Sequence, residues 1–157
     1  MTVRHAKLRD IEALGALLDG YRVFYGQPSD PAAARNFLAH RLGLGDSHLL
    51  VHEGEDGELQ GFVQLYPLFS TVRLAPLWLL NDLFVAPHAR ERGIGRALMS
   101  AARDLARAHG VKQLKLATQI ENRVAQGLYA SLGWQRDTAF HHYALTVNDQ
   151  VLEACRP

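Results

Sequence analysis

The residues best placed by type and spacing to do chemistry are Arg90-Glu91-Arg92-Gly93-Ile94-Gly95-Arg96-Ala97. They follow the apolar run Leu77-Trp78-Leu79-Leu80-Asn81-Asp82-Leu83-Phe84-Val85 and open an amphipathic helical pattern. A helix N-terminus carries partial positive charge, so cations crowded there repel it unless an anion lies between them. Gly93 and Gly95 let backbone N–H groups approach such an anion closely. The bland alternative is a solvated turn. Two familiar nucleotide loops fail on residues. A P-loop needs Lys and Ser or Thr after its last glycine, but Arg96-Ala97 follow Gly95. A dinucleotide fingerprint needs a small residue where Leu98 stands. It also needs an acid about twenty positions on, where the chain reads Lys112-Gln113-Leu114-Lys115. What remains is a seat for a phosphorylated ligand of another kind, or the solvated turn.

The histidines invite a metal reading and do not sustain it. His48 and His52 have i, i+4 spacing, but Leu49-Leu50-Val51 between them favours a strand. Four residues of strand span ~13 Å, too far for one ion. His141 and His142 are adjacent on an expected strand and face opposite ways. Neither pair predicts a metal site.

Downstream, the chain reads Asn122-Arg123-Val124-Ala125-Gln126-Gly127-Leu128-Tyr129-Ala130-Ser131-Leu132-Gly133-Trp134. With Arg90-x-x-Gly93-x-Gly95, this segment resembles the GCN5-related N-acetyltransferase family. The first motif is similar to that family's Gln/Arg-x-x-Gly-x-Gly/Ala acyl-CoA loop. The second is similar to its Asn-x-x-Ala-x-x-x-Tyr-x-x-x-Gly-Phe segment, with Trp134 for Phe. Two motifs in the same order and spacing, covering about Leu77 to Trp134, are far more specific than one glycine loop.

The resemblance implies acetyl transfer from acetyl-CoA, without a metal, to a primary amine of a small molecule. A protein or peptide amine, and a non-catalytic acyl-CoA-binding module, are the alternatives. The residues Arg90 to Ala97 would seat the pyrophosphate. The pantetheine arm carries amides and would pair along the strand edge at Leu83, Phe84 and Val85, in a slot opened by splaying from Leu114 to Thr118. Asn122 has two compatible tasks, helix N-cap and pantetheine contact, and Ala125 shares a helix face with Tyr129. Tyr129 stands where the family places its general acid. A phenol of pKa ~10 can protonate a departing thiolate; the competing reading is a packed tyrosine. Asp82 is a candidate base or amine anchor, or a buried structural carboxylate. Asn81-Asp82-Leu83-Phe84-Val85 is similar to a segment of the diamine acetyltransferase branch, with Asn81 in place of its glutamate. Asn81 and Asp82 are expected to face opposite ways on a strand. Tyr21, Phe24, Tyr25 and Tyr66 are candidate acceptor-pocket walls, since aromatic faces suit an alkylammonium, or they seal a helix against the sheet.

These groups need a frame. The pattern predicts a short strand at Val3–Lys7, a helix capped by Asp10, and a second helix opened by Asp30-Pro31 and stopped by Gly43 or Gly45. A strand at His48–Glu53 turns at Asp56-Gly57 into a return strand, Leu59–Phe69. The nearly continuous apolar run Leu77–Val85 reads as a central strand covered on both faces. A helix to Gly110, a strand Leu114–Ile120, a helix capped by Asn122 and a last strand Phe140–Val147 complete the order β-α-α-β-β-β-α-β-α-β. This is a mixed, mostly antiparallel α/β sheet flanked by helices, expected as one domain over residues 1–157. The family resemblance adds a homodimer formed through the last strands.

The composition bounds the partners. A chain of 157 residues with 48% hydrophobic content can bury a real core. A net charge of +1 gives no bulk attraction to nucleic acid or to an anionic membrane. Cys155 is the single cysteine, so no internal disulfide can form. The first residues lack the apolar segment of a signal peptide, and no run is long enough to span a bilayer. The expectation is a cytoplasmic protein.

Overall fold

Strands β1 (Thr2–His5), β2 (His48–Glu53), β3 (Leu59–Ser70), β4 (Ala75–Val85) and β5 (Gln113–Lys115) form one sheet in that order. The computed structural model describes residues 2–147. Neighbouring strands are antiparallel except β4 and β5, which are parallel. Helices α1 (Ile11–Phe24) and α2 (Pro31–Leu44) connect β1 to β2; α3 (Ile94–Ala108) makes the parallel crossover, and α4 (Arg123–Ser131) follows β5.

Two adjacent β3 residues divide the helices between the faces. The Phe62 ring meets Tyr21 of α1, with centroids 6.0 Å apart. Gly61 points the other way, where an added Cβ would lie 3.2 Å from Leu98 of α3. Alternation along a strand makes these opposite faces. The core therefore has two layers, with Leu14 and Leu38 on the α1–α2 side and Leu98 and Met99 on the α3 side, all essentially buried. A Cβ at Gly61 would also come within 2.7 Å of the Phe84 carbonyl oxygen, so only glycine lets β3 and β4 approach there.

The caps agree with the sequence pattern in two helices out of three. Asp30 accepts a hydrogen bond from the Ala33 N–H at 3.0 Å, and Gly45, at φ +62°, ends α2. Asn122 accepts from the Ala125 N–H at 3.2 Å. Asp10 stands at the start of α1 but does not cap it through its side chain. Its carboxylate is held instead by both Arg4 Nη atoms, at 2.7 and 2.9 Å, and by the Lys7 N–H. A bidentate guanidinium outcompetes a single amide for a carboxylate.

Two strand expectations are corrected. β5 is three residues long, not seven. Residues 140–147 form no strand, and Phe140, Tyr143, Leu145 and Val147 are exposed. Alternation specifies which side chains share a face, but a strand also needs a partner strand, and this segment pairs with none, although the outer edge of β5 is open. Among the described residues no helix is long and apolar enough to cross a membrane.

Candidate active site

The site begins with an irregularity in β4. Gln64 lies opposite Asp82, but Leu65 lies opposite Leu80, so Asn81 is an extra residue with no partner on β3. Such a bulge bends its strand and increases the local twist. On its other side β4 pairs with β5 only at Leu77, Trp78 and Leu79. From Leu80 to Val85 that edge has no strand partner among the described residues. Leu83, Phe84 and Val85, the segment expected to carry an amide-bearing arm, lie on this open stretch.

The open edge leads to the start of α3. Gly93 is the N-cap at φ +77°; no side chain caps the helix, and its first turn has no acid. Its first N–H groups are therefore left for solvent or a ligand. A Cβ at Gly95 would lie 3.3 Å from Leu128 Cδ2 and 3.9 Å from Val85 Cγ2. Gly95 thus brings α3, α4 and the end of β4 together. Glu91 adopts φ +61°, a conformation that favours glycine.

The three arginines do not all face the dipole, contrary to the sequence expectation. Arg90 donates from Nε to the Val85 carbonyl at 3.1 Å, and its guanidinium lies 5.6 Å from the Phe24 centroid and 5.7 Å from that of Phe84. It links the glycine loop to the end of α1. Arg96 donates to Ser131 Oγ at 2.8 Å and ties α3 to α4. Arg92 borders a ≈ 370 Å³ cavity with Gln60, His88 and the Gly54–Glu58 turn. At the start of α3, then, the uncapped backbone amides are free while Arg90 and Arg96 are engaged with other groups.

The other candidates gather on the α1 side. Asp82 is 8% exposed and shares a sheet face with Gln64. Burial pushes its carboxyl pKa up, while the Asn81 amide and the Tyr21 hydroxyl hold it down. Asn81 donates from Nδ2 to Asp82 Oδ1 at 3.0 Å. The two were expected on opposite faces; the bulge at Asn81 breaks the alternation and makes Asn81 a partner of Asp82. Tyr21 packs edge-on against Tyr25, at 4.9 Å, and against Phe84, at 5.9 Å. Burial and the nearby Asp82 and Tyr25 push its hydroxyl pKa up, with a smaller contribution from Tyr129. Tyr66 is pushed up to about 12, first by burial and then by Asp82.

Tyr129 is half-buried on α4, with its ring 6.2 Å from that of Trp134. Burial and Tyr25 raise its pKa, and the Thr118 hydroxyl lowers it. Tyr21 is within electrostatic reach of both Asp82 and Tyr129. The structure therefore brings Tyr21, Tyr25, Asp82 and Tyr129 into one cluster. Phe24 joins its rim through Tyr25 and Arg90. Thr118 was not singled out from sequence; the available signal was a hydroxyl at an inward position of an apolar alternation. His48, stacked on Trp78 at 4.1 Å, and the buried His52 lie on β2 and not in this cluster. Among the described residues no group of three or more His, Cys, Asp or Glu side chains is placed to hold a metal.

A parallel pair that ends at Leu79, a glycine-rich helix start and a mostly antiparallel sheet can be set beside known proteins. The chain belongs to the acetyltransferase (GNAT) family, whose model matches residues 14–134. It is 48% identical over 147 residues to the uncharacterized N-acetyltransferase YhfO of Bacillus subtilis (strain 168), covering 94% of this chain and 98% of the relative. It is 33% identical over 132 residues to a probable acetyltransferase of Haemophilus influenzae, covering 84% and 86%. A crystal structure of a probable acetyltransferase superposes with a TM-score of 0.89 at 35% identity, covering 95% of this chain and 99% of that one. The protein is an acetyltransferase enzyme of a family that uses acetyl-CoA.

Proposed function

We propose that the protein transfers the acetyl group of acetyl-CoA to a primary amine of a small molecule by direct attack on the thioester. The observation that carries this reading is the joining of buried Asp82 and half-buried Tyr129 by the Tyr21–Tyr25 pair, beside the unpaired stretch of β4. The uncapped start of α3 supports a pyrophosphate seat at residues Arg92 to Ala97. The free edge at Leu83 to Val85 supports pairing with the pantetheine amides, and a free N–H there would polarise the thioester carbonyl. Asn122, the N-cap of α4, and Ala125 would contact the pantetheine arm, as the family resemblance implies.

The amine enters as an ammonium. Asp82 attracts it and accepts its proton, aided by a pKa raised towards neutrality. The free amine forms the new C–N bond as the C–S bond breaks, the acylated nitrogen sheds its extra proton to water, and Tyr129 protonates the departing sulfur. The tyrosine faces and Tyr66 suit the alkyl or aryl body of the amine. Asp82 is only 8% exposed, a depth that favours a slender amine over a folded protein surface.

We further propose that the chain is a single domain that works as a homodimer. The exposed apolar residues 140–147 and the free edge of β5 support this. The test of the catalytic reading is incubation with acetyl-CoA and a panel of small amines, amino-terminal peptides and lysine peptides, while free thiol is followed. Turnover of small amines is expected. Turnover confined to peptides would move the acceptor to proteins, and CoA binding without turnover would leave a sensor.

A further inference from the structure

Thr118 lies three residues beyond the last residue of β5, where the chain has left β4 and begins the turn into α4. Leu114 and Leu116 precede it in the alternation and pack on the core. Thr118 breaks that apolar series with a hydroxyl. Its Oγ1 is buried and has no hydrogen-bond partner among the described residues. A buried hydroxyl without a partner forfeits its hydration, so its place in the structure needs another reason. Its neighbour is the phenol of Tyr129, and of the groups acting on that phenol the Thr118 hydroxyl is the one that favours the ionised form. Burial and Tyr25 act the opposite way.

We propose that Thr118 is a positioning residue for the departure of the thiolate. A small rotation lets its O–H donate to the phenolic oxygen of Tyr129. That bond leaves the Tyr129 O–H pointing away from Thr118, into the slot. It also strengthens as the phenol gives up its proton, because a hydrogen bond to an anion exceeds one to a neutral oxygen. The step balances. The amine nitrogen bonds to the acetyl carbon, the C–S pair stays on sulfur, and sulfur takes the Tyr129 proton. The phenolate is held by Thr118 and regains a proton from solvent, which has received the one shed by the acylated nitrogen. This proposal rests on the reading of Tyr129 as the general acid.

Three single variants and one double variant test it: Tyr129→Phe, Thr118→Val, Thr118→Ser, and Tyr129→Phe with Thr118→Val. Valine matches threonine in shape, and thermal melting checks that each variant folds. Thr118→Val is expected to lower kcat about tenfold, the worth of one charge-assisted hydrogen bond, with the affinity for CoA within about twofold of wild type. The alkaline limb of its kcat profile moves to higher pH, since the phenol loses the group that lowers its pKa. Thr118→Ser restores kcat. In the double variant Thr118→Val adds nothing to the loss caused by Tyr129→Phe. Full turnover by Thr118→Val, or a loss that adds to that of Tyr129→Phe, overturns the role of Thr118 alone. Full turnover by Tyr129→Phe overturns the general-acid reading itself.

Discussion

Asn81 donates its side-chain amide to the carboxylate of Asp82, its neighbour in sequence, at 3.0 Å. Adjacent residues of a regular strand cannot do this, because their side chains leave opposite faces. The bulge that makes Asn81 the unpaired residue of β4 lies just beyond Leu79, where pairing with β5 ends. One extra residue therefore both gives Asp82 a partner and marks where β4 and β5 part.

The first prediction concerns Asp82. Asp82→Asn removes the base and is expected to lower kcat/KM about 10²–10⁴-fold. In the wild type, activity falls as the pH drops through the raised Asp82 pKa, and this acid limb disappears in the variant. Stability moves the other way. An acid whose folded pKa is raised binds more protons folded than unfolded, so its ionisation costs stability as the pH rises. At neutral pH the neutral amide should lift Tm by about 2–4 °C for each kcal/mol relieved. Calorimetry and a pH–rate profile on the same pair of proteins check both halves. An unchanged kcat/KM would make Asp82 a structural carboxylate.

The sequence carried the donor half of this site further than the acceptor half, for physical reasons. Gly93, Gly95 and Asn122 announce themselves because a left-handed turn, a close helix contact and an N-cap each restrict residue type strongly. The bulge at Asn81 was not legible. A one-residue register shift depends on the facing strand, which alternation within β4 cannot report. For the same reason the apolar alternation at 140–147 predicted a strand that is left unpaired within the chain. Arg90 was misplaced because a long side chain can turn from the helix dipole to the Val85 carbonyl and two aromatic faces, and spacing does not choose between them.

Glu91 should be an improvable position. Its φ of +61° costs a side-chain-bearing residue about 1 kcal/mol relative to glycine. Its carboxylate also sits in the loop proposed to receive a pyrophosphate. Glu91→Gly is expected to keep or raise Tm and to tighten CoA about twofold to fivefold at low salt, as one exposed charge repulsion is relieved. Titration calorimetry across ionic strength is the check, since the gain should shrink as salt is added. Weaker CoA binding would mean that Glu91 supports the loop.

Gly61 predicts a loss. Alanine there would place Cβ 2.7 Å from the Phe84 carbonyl oxygen, which is backbone and cannot swing aside. Gly61→Ala is expected to destabilise the fold by about 1–3 kcal/mol, as overpacking does. It should also weaken CoA binding, because Phe84 lies on the open stretch of β4. A melting curve matching that of wild type would show that β3 and β4 separate there at little cost.

The last prediction concerns association. Tyr143, Leu145 and Val147 are 92%, 85% and 86% exposed and alternate along a segment with no assigned secondary structure. The apolar tip of the β3–β4 turn is also bare, with Val72 96% and Leu74 89% exposed. A ≈ 780 Å³ cleft is bordered by Arg73 of that turn, by β5 and by Phe140 at the start of the apolar segment. A free strand edge beside unpaired apolar chain is a template for pairing. The wild type is therefore expected to scatter light as a dimer of its 17.5 kDa chain. Tyr143→Lys combined with Leu145→Lys should yield a monomer, because burying either ammonium in the interface would require a partner charge. If the wild type is already a monomer at micromolar concentration, the segment must instead fold back onto β5 of its own chain. In that case the paired lysines would lower Tm without changing mass.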